Sequence, residues 1–135
     1  MKYLLDTNAC VQCLRAKGSL LVKHRLGTHP PSDVVVCSIV VGELCYGAAK
    51  SRNPAAEVSR VDAFLGPYQS LPFDDTTARR YAELRAILEA QGLPIADLDL
   101  MIAAIALVNG LTLVTHNTTD FARIQGLALE DWELP

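Results

Sequence analysis

Short apolar runs alternate along this chain with longer stretches in which apolar residues recur at helical spacing. Tyr3-Leu4-Leu5, within a first strand expected from Lys2 to Leu5, and Val34-Val35-Val36-Cys37 are uninterrupted apolar runs of strand length, the second rich in β-branched residues, as in strands buried on both faces. Leu111 to Val114 predicts another strand, and Leu127 to Leu129 a short final one. Leu71-Pro72-Phe73 predicts a strand at a sheet edge, because Pro72 cannot donate to a ladder. Helices are expected from about Asn8, from Ser19 to Leu26, and after Ser38 as N-cap, with Ile39, Val40, Glu43 and Leu44 on it. The loop His29-Pro30-Pro31-Ser32-Asp33 breaks the pattern. Asn53-Pro54 opens a further helix that Gly66-Pro67 closes. Asp74 or Asp75 caps a long one ending at Gly92. After Leu93-Pro94, the nearly all-apolar helix Leu100 to Val108 ends at Asn109-Gly110 and should be buried on several sides. Strands alternating with helices in this way predict a single α/β domain, residues 1–135, around a mainly parallel sheet.

The polar residues that interrupt this pattern carry the chemistry. Asp6 ends the first apolar run and is followed by Thr7-Asn8, so a buried strand delivers a carboxylate to the carboxyl edge of the sheet, where open α/β sheets bind ligands. Asn117 follows a late strand, so parallel neighbours bring it to the same edge. Glu43 and Asp99 interrupt apolar helices whose starts can face that crevice. Three carboxylates and one amide form an oxygen-only donor set, which suits magnesium or manganese. Such clusters serve phosphodiester hydrolysis, and without a cation the carboxylates repel one another and their pKa values rise. Each residue also has a plainer role open to it: Asp6 as an N-cap, Glu43 as an exposed residue at a helix edge, Asp97 and Asp99 as first-turn acids on a helix dipole, Asn117 and Asp120 as turn formers.

Charge and composition narrow the class. The formal net charge of −3, from 12 basic and 15 acidic residues, gives no global basic field for coating nucleic acid. It leaves room for an enzyme that holds a nucleic acid through metals and local basic groups such as Lys17, Lys23 and Arg25, most of which read as solvated helix faces. No apolar run approaches the roughly 20 residues of a membrane span, and the N-terminus lacks the pattern of a signal peptide, which points to the cytoplasm. Cys10, Cys13, Cys37 and Cys45 form no pair of close pairs, so reduced thiols packed as small hydrophobes are expected. His24, His29 and His116 stand in no metal-ligand spacing and read as surface or loop residues.

Four segments together resemble the PIN-domain ribonucleases of the VapC type, toxins of type II toxin–antitoxin pairs. They are Leu4-Leu5-Asp6-Thr7-Asn8; Ser38 to Leu44 with Tyr46-Gly47; Leu93-Pro94-Ile95 leading to Asp99-Leu100-Met101-Ile102-Ala103-Ala104; and Leu113 to Asn117 with Asp120-Phe121. The resemblance runs from Met1 to the Leu129-Glu130-Asp131-Trp132 ending. It implies a parallel sheet flanked by helices, endoribonuclease activity with Mg2+ or Mn2+, inhibition by a VapB-like antitoxin, and a homodimer. It also implies that Asp6, Glu43 and Asp99 are the acidic metal positions and Asn117 a supporting one. Ala96 and Asp97 depart from relatives, which commonly have Gly and a non-acidic residue there. Register with Ile102-Ala103-Ala104 favours Asp99 over Asp97 as the ligand, since residues two apart do not share a helix face.

Three other readings fit less of the chain. A phosphoryl-transfer enzyme with an Asp after its first strand commonly has a second Asp two residues on, where Asn8 stands, and a later Lys that is missing here. A dinucleotide-binding domain lacks its Gly-rich fingerprint. A PIN-like binding module without catalysis conflicts with the full acidic set.

Overall fold

The computed structural model describes residues 1–135. Five parallel strands, β1 (Tyr3–Leu5), β2 (Val34–Cys37), β3 (Gln69–Leu71), β4 (Thr112–Val114) and β5 (Leu129–Glu130), form one sheet in the order β3-β2-β1-β4-β5. Parallel neighbours need crossovers, and these are supplied by α1 (Thr7–Leu14), α2 (Leu20–Thr28), α3 (Ser38–Ala49), α4 (Pro54–Leu65), α5 (Asp75–Ala90) and α6 (Asp97–Val108); α7 (Thr118–Phe121) precedes β5. The chain winds outward from β1 through β2 to β3, then returns to β4 on the other side of β1. This reversal opens a crevice at the carboxyl ends of β1 and β4, where doubly wound sheets bind ligands.

The central strands are buried as their apolar runs predict: Leu4, Leu5, Val34 to Cys37, Leu113 and Val114 are all within 1% of complete burial. Burying one such aliphatic side chain contributes about 1.5–3 kcal/mol. Helix α6 is buried along most of its length, with Leu100 and Ile102 to Ala106 inaccessible, and packs on α3 and α5. It holds the first turn that carries Asp99 against the rest of the core.

Several boundaries differ from the sequence reading, each for a physical reason. The edge strand is Gln69–Leu71, ending before Pro72, which has no N–H to offer a partner. Phe73 N–H instead donates to Ser38 Oγ at 3.2 Å, which takes the hydroxyl that the sequence assigns to capping; Cys37 is the N-cap residue of α3 and makes no side-chain cap bond. Asp74, rather than Asp75, caps α5, accepting from Thr77 N at 2.9 Å. Helix α6 begins at Asp97, three residues before Leu100, because acidic residues are favourable in a first turn. The final strand is Leu129–Glu130, displaced from Leu127 to Leu129 by a turn at Gly126 with φ 84°. Thr118–Phe121 is a helix anchored by the inaccessible Phe121.

The cysteines are all free: Cys10 and Cys37 are buried and Cys13 half-buried, whereas Cys45 is exposed, contrary to expectation. No helix is long and apolar enough to cross a membrane.

Candidate active site

Asp6 leaves β1 one residue beyond the pairing of Leu5 with Val114, so the sheet register carries it to the side of Thr115. Its backbone is extended, with φ −75° and ψ 173°, and one carboxylate oxygen accepts from Ala9 N at 2.8 Å. The capping role and the position in the crevice therefore coexist. Asp6 is 6% exposed. Burial raises its pKa to about 6, against the opposing effects of the Thr115 hydroxyl and the Ala9 N–H, with Asp99 and then Glu133 adding further upward pressure.

Glu43 comes from the second turn of α3 and is half-buried, with Oε1 accepting from the Thr7 hydroxyl at 2.7 Å. Asp99, in the first turn of α6, is also half-buried. Its pKa is raised first by burial, then by the charges of Glu43 and Asp120. Asp6, Glu43 and Asp99, from three separate elements, thus form one repulsive group, in which the charge of Glu43 acts on Asp99 and that of Asp99 on Asp6.

Asn117 faces a different neighbour than Asp6. Its side-chain amide donates to Asp120 Oδ2 at 3.0 Å, and its backbone N–H donates to Thr115 Oγ1 at 3.0 Å. It steadies the threonine beside Asp6 and a fourth carboxylate that repels Asp99. Asp120 also pairs with Arg123 at 3.3 Å. The sequence offers Asp120 a turn and a place in the Asn117 segment of the resemblance, with no role assigned; it stands three residues after Asn117, on the helix that Phe121 anchors. Asp97 turns away. Its carboxylate lies 3.4 Å from Arg85 on α5 and is 57% exposed.

The wall of the crevice continues into a groove of about 850 Å³ between α1, α3 and α4. Glu43 and Thr7 stand at its acidic end, Val11, Leu44 and Val61 are among its apolar residues, and Arg15, Lys17 and Arg60 supply positive charge. On the opposite flank, past β4, His116 meets Asp131 and Glu133, with one ligand-capable atom from each lying within 4.8 Å of the others. Sequence spacing could not bring these three together, because the contact spans 15 residues and depends on β5 docking beside β4.

Four acidic side chains around the switch point of a five-stranded parallel sheet define an acid-lined α/β fold of the PIN type. Residues 3–127 match the PIN domain family. The chain belongs to that family, and its similarities fall among the VapC ribonucleases. The tRNA(fMet)-specific endonuclease VapC of Shigella flexneri is 35% identical over 132 residues, covering 98% of each chain. Ribonuclease VapC2 of Rickettsia felis is 36% identical over 133 residues, covering 98% of this chain and 99% of the relative. Among solved structures, DNA-bound VapBC from Salmonella typhimurium contains a chain that superposes with a TM-score of 0.91 at 35% identity, covering 98% of both. VapBC2 from Rickettsia felis, bound to a DNA fragment from their promoter, superposes at 0.89 and 36% identity, covering 98% of this chain and 99% of that one.

Proposed function

We propose that this chain is a metal-dependent endoribonuclease, the toxin of a VapBC-type pair, and that residues 1–135 act as one PIN domain. The observation that carries the reading is the group Asp6, Glu43 and Asp99 at the sheet's switch point, in a chain similar along nearly its whole length to named VapC ribonucleases. The donor set fits a hard divalent cation. It is all oxygen, it gathers charges that repel one another, and burial raises the pKa of Asp6 and of Asp99, so a cation is the counter-charge the site calls for. Asp6, Asp99 and Glu43 would hold Mg2+ or Mn2+, which supplies Lewis acidity toward the scissile phosphate and the attacking water.

The protein's own contribution is to hold these groups still. Ala9 N–H fixes one oxygen of Asp6, and the Thr115 hydroxyl bears on the same carboxylate. Thr7 steadies Glu43, which would hold the cation or the attacking water. Asn117 orients Thr115 and Asp120 behind Asp6 and Asp99. Water oxygen bonds to phosphorus as the bond to the 3′ oxygen breaks, leaving a 5′-phosphate and a 3′-hydroxyl.

The partner is a VapB-like antitoxin, as in the VapBC assemblies whose toxin chains share this fold. Exposed Tyr46 and Leu98, lining a recess of about 460 Å³ beside Glu43, support a homodimer. The four free thiols suit the reducing cytoplasm.

The test is cleavage of RNA by the purified chain with Mg2+ or Mn2+, with chelator, and with Asp6→Asn. Chelation and the substitution should each abolish cleavage. Undiminished cleavage by Asp6→Asn, or cleavage indifferent to chelator, overturns the reading.

A further inference from the structure

The group at His116 lies outside the carboxylate set and is built with more care than an exposed loop histidine requires. His116 Nδ1 lies 2.9 Å from Asp131 Oδ2 and 3.4 Å from Glu133 Oε2. The other oxygen of Asp131 accepts from Glu133 N–H at 2.9 Å, and the Asp131 side chain is only 9% exposed. The segment carrying both acids is pinned. Trp132 is 3% exposed, stacks on His29 with centroids 5.3 Å apart, and meets Tyr3 edge-on. Arg25 donates to the Asp131 carbonyl at 3.0 Å. A ring whose Nδ1 is committed to a fixed carboxylate has one nitrogen left, Nε2, and the His116 side chain is 56% exposed.

The ring is also part of the same electrostatic neighbourhood as the acidic crevice. Its pKa is raised first by its hydrogen bond to Asp131, then by Glu133, with Asp6 contributing as well. Asn8, in the first turn of α1 just past Asp6, donates to Glu133 at 3.3 Å, and the Glu133 charge acts on Asp6. The cationic residues of the groove, Arg15, Lys17 and Arg60, lie on the Glu43 side of the crevice. His116 thus places an imidazole, cationic when protonated, on the other flank, at the end of β4.

A phosphodiester strand crossing an acid-lined crevice needs positive partners on both sides of the bond being cut. We propose that His116 is a further substrate-contacting residue, whose Nε2–H donates to an RNA phosphate next to the scissile one, with Asp131 and Glu133 as its positioning residues. The assignment rests on the ribonuclease reading. It adds a contact on the β4 side and gives the anchored Asp131-Trp132-Glu133 segment a function. The contact is made by the protonated ring, oriented by the 2.9 Å pairing of its Nδ1 with Asp131.

Steady-state cleavage of RNA, measured at several salt concentrations on wild type, His116→Asn, His116→Lys and Asp131→Asn, tests this directly. A charge-assisted hydrogen bond to phosphate contributes on the order of a tenfold change in binding. His116→Asn should therefore raise KM about tenfold with little change in kcat, and flatten the dependence of log KM on log salt by about 0.7 for one phosphate contact on a single strand. His116→Lys should restore most of both, and Asp131→Asn should fall between wild type and His116→Asn. Thermal unfolding of each variant reports that the exposed ring is not structural. Unchanged KM and salt slope in His116→Asn overturn the proposal, as does a loss of kcat alone. Calorimetry with Mn2+ in the absence of RNA separates the rival role: weakened ion binding by His116→Asn would make the cluster a cation site and overturn the phosphate contact. If wild type itself fails to cleave RNA, it is the underlying ribonuclease reading that falls.

Discussion

The Thr7 hydroxyl donates to Glu43 Oε1 at 2.7 Å, joining residues 36 positions apart and tying the start of α1 to the second turn of α3. The bond holds one oxygen of Glu43, a carboxylate whose charge acts on Asp99. Thr7→Val keeps the side chain's shape and removes the donor. Loss of such a supporting hydrogen bond commonly weakens metal affinity or activity by about 10–100-fold. Cleavage by Thr7→Val should therefore require more Mn2+ for half-maximal rate, with the fold unchanged by circular dichroism. A metal dependence identical to wild type would show that Glu43 needs no such support.

Asp97 and Asp99 share the first turn of α6 but face different neighbours, Arg85 for the former and Glu43 with Asp120 for the latter. Asp99→Asn should abolish metal-dependent cleavage, because the amide retains the shape but not the charge that holds a cation. Asp97→Asn removes a long, exposed ion pair, an interaction usually contributing about 0–1 kcal/mol, and should cleave at close to the wild-type rate. Comparable loss in both variants would contradict the assignment of roles by direction.

Asp6 makes the metal-free protein pay for its own site. Below about pH 3.8, the ordinary carboxyl value, Asp6 is protonated in both folded and unfolded chains; as pH rises, the unfolded chain releases the proton first, and the folded chain retains it until about pH 6. Stability due to this group is therefore fully present in acid and is lost as pH rises through 6. At about 1.36 kcal/mol per pKa unit, the loss is at most about 3 kcal/mol. Asn caps a helix as well as Asp does, so Asp6→Asn should be more stable than wild type at pH 7.5 in chelator and nearly equal to it at pH 4. Urea unfolding at the two pH values measures this. A difference independent of pH would mean that ionisation of Asp6 does not burden the fold.

The sequence made Asp6, Glu43 and Asp99 conspicuous because each interrupts an apolar segment, and burying a carboxylate carries a cost that plain capping does not explain. The strands were legible for a related reason: Val34 to Cys37 is apolar throughout, which only a doubly covered strand tolerates. What stayed hidden depends on contacts between distant segments. Ser38 looks like a cap until Pro72 leaves Phe73 N–H as its partner. Asp120 gains its neighbours only when Phe121 docks α7, and Asn117 turns to it rather than to Asp6. His116 finds Asp131 only because Thr115 N–H pairs with the Glu130 carbonyl at 3.0 Å, setting the register of β5 on β4. None of these signals is periodic, so no pattern of apolar and polar positions contains them.

Growth arrest offers a cellular measurement of the same carboxylates. Expression of the chain without an antitoxin should stop growth, and Glu43→Ala should relieve the arrest at equal protein level. Equal arrest by wild type and Glu43→Ala would separate toxicity from the acidic site.

The antitoxin should exploit the charge that a cation would otherwise balance. The groove between α1, α3 and α4 has apolar residues Val11, Leu44 and Val61 along it and ends at Glu43, so a segment lying there can bury apolar side chains and extend an Arg or Lys to the carboxylates. Such an inserted cation would compete with the metal and occupy the crevice at once. Removing the partner of a buried charge pair typically costs about 2–5 kcal/mol. The triple variant Asp6→Ala, Glu43→Ala, Asp99→Ala should therefore bind the cognate antitoxin at least tenfold more weakly by titration calorimetry, and added Mn2+ should weaken binding to wild type but not to the variant. Unchanged affinity in the variant would mean that the antitoxin covers the site without entering it, and inhibition would then rest on occlusion from the groove alone.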